Sequence, residues 1–349
     1  MAYDYFNDEQ KIRIALSPQA EITMHDDMEK FGITKEATFI NTVFSNYKYE
    51  AKASICQYEQ QRFLELDNAL SFRNLDSETK RSVLNTIIEF ETAEIKSTVS
   101  GVAPAGKSKL YHINDTNTEF LLEDCDENKY YSRPSLYIRA VIEEYCRLPL
   151  IKRQRIIQKE IFDIVERACS EKRILKIKTP LNGQEQLFYV YPYKIIPDTL
   201  HTQLYLACYS KKDKAADSEK VLASFSMIRL AKPTMLSKTF HLNKAEIKNI
   251  EDNIAVRPAA YLISQPEKIK VRLTEAGKKA YHSRIFNRPE KIDALSKGDI
   301  YVFDCSQYQA FNFFFSFGAD AEIISPKELK EQFKKAYEEA FLAYNKCLN

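Results

Sequence analysis

Near the N-terminus, residues 11–16 read Lys-Ile-Arg-Ile-Ala-Leu, and this alternation constrains the chain more than any other short stretch. A strand has a side-chain period of two, so Ile12, Ile14 and Leu16 share one face while Lys11, Arg13 and Ala15 share the other. Such a strand presents unpaired backbone groups and an apolar row, and it is not stable alone. The next segment is helical. Ser17-Pro18 is a helix start, because Ser caps free N–H groups and Pro fits the first helical position, where its missing N–H costs nothing. The helix is expected to run to about Lys30. A turn at Phe31-Gly32-Ile33-Thr34 comes after it, with Thr34 as a second N-cap, and then a helix with Ala37, Ile40, Val43, Phe44 and Tyr47 at helical spacing. One strand and two helices bury little, so the pattern predicts a homodimer in which the strand pairs with that of a second copy. The alternative is an edge strand of a larger sheet, with Lys11 and Arg13 simply solvated.

The strand-helix-helix order of residues 11–48 resembles a ribbon-helix-helix module. The resemblance implies an antiparallel ribbon built by two chains, with outer side chains, here Lys11 and Arg13, that enter the major groove of duplex nucleic acid.

A length of 349 residues suggests two or three domains. With 51 Lys+Arg against 49 Asp+Glu, the net charge of +2 excludes a uniformly basic chromatin protein and a strongly acidic disordered chain. The 7 cysteines lie far apart with no CxxC pair, and no signal peptide is read ahead of them, so a reducing cytoplasm is expected. The 5 histidines are equally scattered, which predicts no metal site. The most apolar run, residues 311–317, is interrupted by Asn312 and Ser316, so no membrane span is expected.

Residues 49–100 read as helices, one carrying Phe63, Leu64, Leu66 and Leu70 and the next Val83, Leu84, Ile87, Ile88 and Ile95. Gly101-Val-Ala-Pro-Ala-Gly106-Lys107-Ser108 then satisfies the phosphate-loop pattern GxxxxGK[ST], and residues 300–304 imitate a strand with a magnesium-binding Asp304. A phosphate loop needs a helix opening at Lys107-Ser108. Here residues 110–113 are strand-like and residues 114–118 form a turn cluster, so the segment reads as a flexible loop and no enzyme is expected. Charge then splits: residues 111–128 hold acids and no Lys or Arg, whereas residues 133–159 hold Arg133, Arg139, Arg147, Lys152, Arg153, Arg155 and Lys159 against Glu143 and Glu144. The basic segment is either a solvated helix face that contacts the acidic one or part of a polyanion-binding surface.

From residue 174 to 230 short strands are expected at 174–179, 186–193, 203–209 and 221–230, with turns between them, a pattern that argues for a small antiparallel barrel. Glu171-Lys172-Arg173, Tyr191-Pro192-Tyr193, Leu204-Tyr205-Leu206 and Phe225-Ser226-Met227-Ile228-Arg229 fall into register with the WYL domain, which this segment resembles. The resemblance implies an SH3-like barrel that binds ligands, often nucleic acid, through a basic and aromatic groove. Leu204 stands where the family signature has Trp, and Ser226 replaces the first of two arginines. Tyr193 and Tyr205 are then candidates to stack on bases and Arg229 to pair with phosphate, though tyrosines in a barrel are equally core residues with a hydroxyl at the rim. Downstream, strands are expected at 268–274, 300–305 and 322–325 and helices at 307–317 and 327–345. The run from Phe315 to Leu329 resembles the C-terminal extension that accompanies WYL domains. Residues 268–291 form a second basic strip with Tyr281, His282 and Phe286 interleaved, suited to a nucleic-acid backbone or to a solvated strand edge.

The expected architecture is α+β and multi-domain: a ribbon-helix-helix head (1–48), a helical linker region with a flexible loop and basic helix (49–165), an SH3-like WYL barrel (166–240) and a C-terminal α/β, ferredoxin-like extension (260–349). The combination resembles the WYL-domain accessory proteins of type VI-D CRISPR RNA-targeting systems. That resemblance implies a cytoplasmic, homodimeric modulator that binds single-stranded RNA and acts on an RNA-guided effector. The alternative is a transcriptional regulator whose head reads duplex DNA and whose barrel senses a ligand. The candidate nucleic-acid-binding residues are Lys11, Arg13, Lys172, Arg173, Tyr193, Tyr205, Ser226 and Arg229, with no catalytic residue, metal or cofactor.

Overall fold

The N-terminal strand finds a partner within its own chain. The computed structural model describes residues 10–52, 55–71, 75–101, 106–124, 134–181, 184–212, 220–262 and 267–345. In it β1 (Lys11–Ile14) pairs antiparallel with β2 (Lys109–His112), Ile12 opposite Tyr111 and Arg13 opposite Leu110. The pairing that the sequence assigned to a second copy is thus supplied in cis, because residues 109–112 offer a second strand whose Tyr111 joins Ile12 and Ile14 on the buried face.

The chain divides into two compact units, Met1–Lys159 and Glu160–Asn349. In the first, α1 (Pro18–Phe31) starts where expected: the Ser17 hydroxyl accepts the Ala20 N–H at 3.2 Å, and Gly32 ends the helix at φ 68. The buried Glu143 carboxylate adds to the cap, accepting the Ser17 N–H at 2.6 Å and hydroxyl at 2.7 Å. The next helix, α2 (Glu36–Tyr47), starts after Lys35 with no side-chain cap, so Thr34 does not play that role. The expected helical pair, α3 (Ile55–Leu70) and α4 (Ser77–Gly101), buries Leu84 and Ile88 and leaves Leu64 and Val83 exposed; Ile95's side chain lies outside the described residues.

The expected turn at 114–118 is a helix start. Asn114 Oδ1 accepts the Asn117 N–H at 2.9 Å at the head of α5 (Asp115–Asp124); Asn is a good cap as well as a turn residue. With α6 (Pro134–Arg147) and α7 (Leu150–Ile157) these elements surround a core that includes Ile12, Leu16, Met24, Phe39, Phe44, Tyr111, Tyr137, Val141 and Tyr145, and that core continues across residue 48.

At the boundary α8 (Lys159–Ser170) leads into the second unit. Next comes a five-stranded antiparallel sheet made of β3 (Arg173–Leu181), β4 (Gln184–Pro197), β5 (Leu204–Lys211), β6 (Val221–Ser226) and β7 (Ala231–Thr239), in the order β6-β5-β4-β3-β7. The expected closed barrel is not formed: among the described residues β6 and β7 pair with β5 and β3 but not with each other. A 3-10 turn, Met227–Arg229, joins these two edge strands and ends β6 before the strand expected to reach residue 230. The register of β4 shifts between Pro192 and Lys194, where Pro192 has no N–H to donate. Then comes α9 (Lys244–Val256), capped reciprocally by Asn243 and Glu246.

The rest of the unit is β8 (Glu267–Leu273), α10 (Glu275–Ser283), β9 (Glu290–Lys291), β10 (Ile300–Cys305), α11 (Gln307–Phe314), β11 (Ala321–Ser325) and α12 (Lys327–Asn345). Its sheet order, β11-β8-β10-β9, with helices between β8 and β9 and between β10 and β11, is the split β-α-β-β-α-β arrangement. Gly318, at φ 58 and ψ −127, lies in a 3-10 stretch that ends the α11 segment. A Cβ on Gly277 would lie 2.2 Å from the Asp320 carbonyl oxygen, so α10 approaches that stretch too closely for any other residue. Among the described residues no helix is long and apolar enough to cross a membrane.

Candidate nucleic-acid interface

The loop between β4 and β5 sets the position of Tyr205. Buried Asp198 accepts the Thr202 N–H and hydroxyl, both at 2.6 Å, and the Gln203 N–H at 3.1 Å. The loop so fixed presents Gln203 Oε1 to the Tyr205 hydroxyl at 2.8 Å. Strand alternation buries Leu204 and Leu206 and turns Tyr205 to the half-buried face, directly across from Ser226 of β6 and Ile196 of β4. Burial, and then the Asp198 carboxylate, push the Tyr205 hydroxyl above its ordinary pKa, while Arg229 opposes them.

Arg229 closes the 3-10 turn after Ser226. It is exposed and makes no hydrogen bond or ion pair with any described residue. The Ser226 Oγ is buried without a hydrogen-bond partner among the described residues. Tyr205, Ser226 and Arg229 therefore come together.

Tyr193 packs on the same apolar cluster as Tyr205 but is anchored differently. Its hydroxyl donates to Glu251 of α9, whose carboxylate also accepts Lys194 Nζ at 2.9 and 3.0 Å. That hydrogen bond, with a smaller contribution from burial, pushes the Tyr193 hydroxyl up to about 12. Arg173 is likewise committed, its Nε donating to the Leu236 carbonyl at 2.7 Å and its Nη1 facing Glu171 at 3.3 Å. Lys172 is exposed at a left-handed turn, φ 51, and its carbonyl accepts the Phe240 N–H. Lys11 and Arg13 belong to the other unit, on the outward face of the β1–β2 ribbon opposite His112 and Leu110.

Several charges of the basic segments are paired within the chain. Arg153 pairs with Asp27, Arg139 lies 3.7 Å from Glu143, and Lys159 reaches Glu50. In the C-terminal strip Arg272 pairs with Glu322, Lys278 with Glu275 and Asp299, and Lys291 with Asp293, while Arg288 lies over the Tyr281 ring. The phosphate-loop pattern leads from Lys107-Ser108 into β2, not into a helix; residues 102–105 of it lie outside the described residues. Gly106 has a structural reason: its N–H donates to the Leu16 carbonyl at 2.8 Å, and a Cβ there would lie 2.5 Å from that oxygen. Asp304 faces Arg257 at 3.3 Å. Among the described residues no three His, Cys, Asp or Glu converge as a metal site.

The sequence reading missed Tyr261, Tyr308 and Glu251. Tyr261 and Tyr308 both add to the electrostatic surroundings of the Tyr205 hydroxyl. A signal for Tyr308 was present: on a helix starting near residue 307, Ala310, Phe313 and Phe314 define the buried face, and Tyr308 falls off it.

No family model and no curated protein matches this chain. Among solved structures it is similar to one described as the crystal structure of a CRISPR Cas-related protein, at TM-score 0.70 and 19% identity, covering 100% of this chain and 97% of that one. It also overlaps the proteasome accessory factor B/C (PafBC) of Arthrobacter aurescens at TM-score 0.30 and 12% identity, over 60% of this chain and 32% of that one. The first similarity is one of fold, and it runs through both units of the molecule.

Proposed function

We propose that this chain is a CRISPR-associated accessory protein that binds single-stranded RNA at the Tyr205–Ser226–Arg229 site and modulates an RNA-guided RNA-targeting effector of type VI-D, with no enzymatic step of its own. The observation that carries this reading is Arg229, an exposed arginine with no hydrogen-bond or ion-pair partner among the described residues, next to a half-buried tyrosine. An unspent guanidinium offers a phosphate contact, and the adjoining aromatic surface offers a stacking face, which are the two contacts that single strands use. What supports a CRISPR setting is the fold shared with the CRISPR Cas-related protein. What supports a homodimer is the set of exposed side chains Phe341, Leu342 and Tyr344 near the end of α12. In this reading the modules are a head that keeps the strand-helix-helix order but closes its ribbon within one chain, a helical middle, a WYL-type sheet and its extension.

The β1–β2 ribbon favours a second reading, a regulator that binds duplex DNA through the head, since its outward face carries Lys11, Arg13 and His112. Titrating one single-stranded RNA and one DNA duplex at a single fixed salt concentration separates the two. The proposal expects tighter binding of the RNA strand; tighter binding of the duplex contradicts it.

A further inference from the structure

Tyr308 is an aromatic side chain that nothing in the apolar core explains. It lies in the first turn of α11, 64% exposed, while Ala310, Phe313 and Phe314 of the same helix are buried. Its ring nevertheless has a fixed neighbour: the Tyr261 ring, 5.8 Å away at an angle of 49°. Tyr261 is itself buried in a 3-10 turn, Ala259–Tyr261, and its hydroxyl accepts from Asn312 Nδ2, one helical turn beyond Tyr308, at 3.4 Å. Tyr308 is therefore backed on one side by an immobilised ring and open on the other. The 3-10 turn that carries Tyr261 packs against β5 and β6, the strands of Tyr205 and Ser226, and the Tyr205 hydroxyl lies within electrostatic reach of both Tyr308 and Arg229.

We propose that Tyr308 is a base-stacking residue of the single-strand site, held in place by Tyr261 and Asn312, so that the RNA groove is built jointly by the five-stranded sheet and by the C-terminal α/β segment. The proposal rests on the reading of Tyr205 and Arg229 as an RNA site. It adds what that site lacks. Tyr205 is half-buried and its hydroxyl is occupied by Gln203, whereas an exposed ring supported from behind has a whole face to give to a base. Arg229 then meets the phosphate and Tyr308 the base.

The test is fluorescence anisotropy with a labelled oligouridylate of about 12 nucleotides, a length within the range of single-strand sites, at one fixed salt concentration. The variants are Tyr308→Ala, Tyr308→Phe and Arg229→Ala in the full chain, with thermal melts for each. Tyr308→Ala should weaken binding roughly 5- to 150-fold, the effect of losing one stacked base. Tyr308→Phe, which keeps the ring, should bind as the parent does. If Arg229→Ala weakens binding while Tyr308→Ala binds normally, the stacking role is overturned and the site at Tyr205 and Arg229 stands. If none of the three weakens it, the single-strand site itself is wrong. If Tyr308→Phe weakens binding as much as Tyr308→Ala, the hydroxyl and not the ring is the contact, and stacking is again overturned.

Discussion

Arg153 of α7 and Arg229 of the 3-10 turn in the second unit are held in opposite ways. Residues 133–159 are crowded with arginine and lysine, yet Arg153 is clamped by Asp27, with Nε at 2.7 Å and Nη2 at 3.1 Å, and its remaining nitrogen donates to the Leu148 carbonyl. Asp27 is buried and also accepts the Tyr145 hydroxyl at 2.7 Å. Arg229 lies in a stretch with no other base between Val221 and Ala231, and it is left exposed without a hydrogen-bond or ion-pair partner among the described residues. Charge density along a sequence therefore says little about which charges a ligand can reach. The acids that pair with Arg153 and Lys159 are Asp27 and Glu50, far away in the chain.

The largest expected effect falls on the buried side of this contrast. Asp27→Ala removes the buried acceptor shared by Arg153 and the Tyr145 hydroxyl, and should cost about 3–5 kcal/mol in urea unfolding. A cost below about 1 kcal/mol is that of a surface pair and would return Arg153 to the pool of charges open to a ligand.

A smaller effect separates Gly106 from Lys107, neighbours in the phosphate-loop pattern. Gly106→Ala drives a Cβ against the Leu16 carbonyl and should destabilise the protein by about 1–3 kcal/mol. Lys107→Ala, at an exposed position, should stay within about 0.5 kcal/mol. Nucleotide-dependent thermal stabilisation that vanishes in Lys107→Ala would reinstate the phosphate-binding reading.

The smallest effect concerns Glu251. Hydrogen bonds from Tyr193 and then Lys194 hold its carboxyl below the ordinary 4.5. A depressed carboxylate contributes stability that is complete above the ordinary value and is lost as pH falls through the folded-state value. The site is solvent-screened, so Glu251→Gln should cost no more than about 1 kcal/mol at neutral pH. The difference from the parent should shrink below pH 4.5; a gap that stays constant down to about pH 3 would show that the carboxylate's charge is not what ties Tyr193 to α9.

Local signals in the sequence were read well where the physics is local. The Ser17-Pro18 cap, the strand expected at 268–274 and the final helix expected at 327–345 are all set by neighbours in the chain. The features that escaped depend on distant partners. Residues 110–113 gave a strand pattern, but nothing local says that the strand, Lys109–His112, pairs with Lys11–Ile14. The strand after Arg229 and helices α9 and α10 were not anticipated. At the candidate site, Tyr205 and Arg229 were legible from family phrases, whereas the commitment of Arg173 to Leu236 and of Tyr193 to Glu251 is visible only in three dimensions.

The central claim is that RNA is held at Tyr205 and Arg229 and not at the ribbon. The direct measurement compares single-stranded RNA affinity in two double variants, Arg229→Ala with Tyr205→Ala and Lys11→Ala with Arg13→Ala, each checked for folding by circular dichroism. The first pair should lose affinity and flatten the salt dependence by roughly 0.7 for the one phosphate contact removed. The second should change little, because a ribbon is shaped for a duplex major groove that a single strand does not offer. Loss of RNA binding only in the Lys11 and Arg13 variant would contradict the account and move the site to the head.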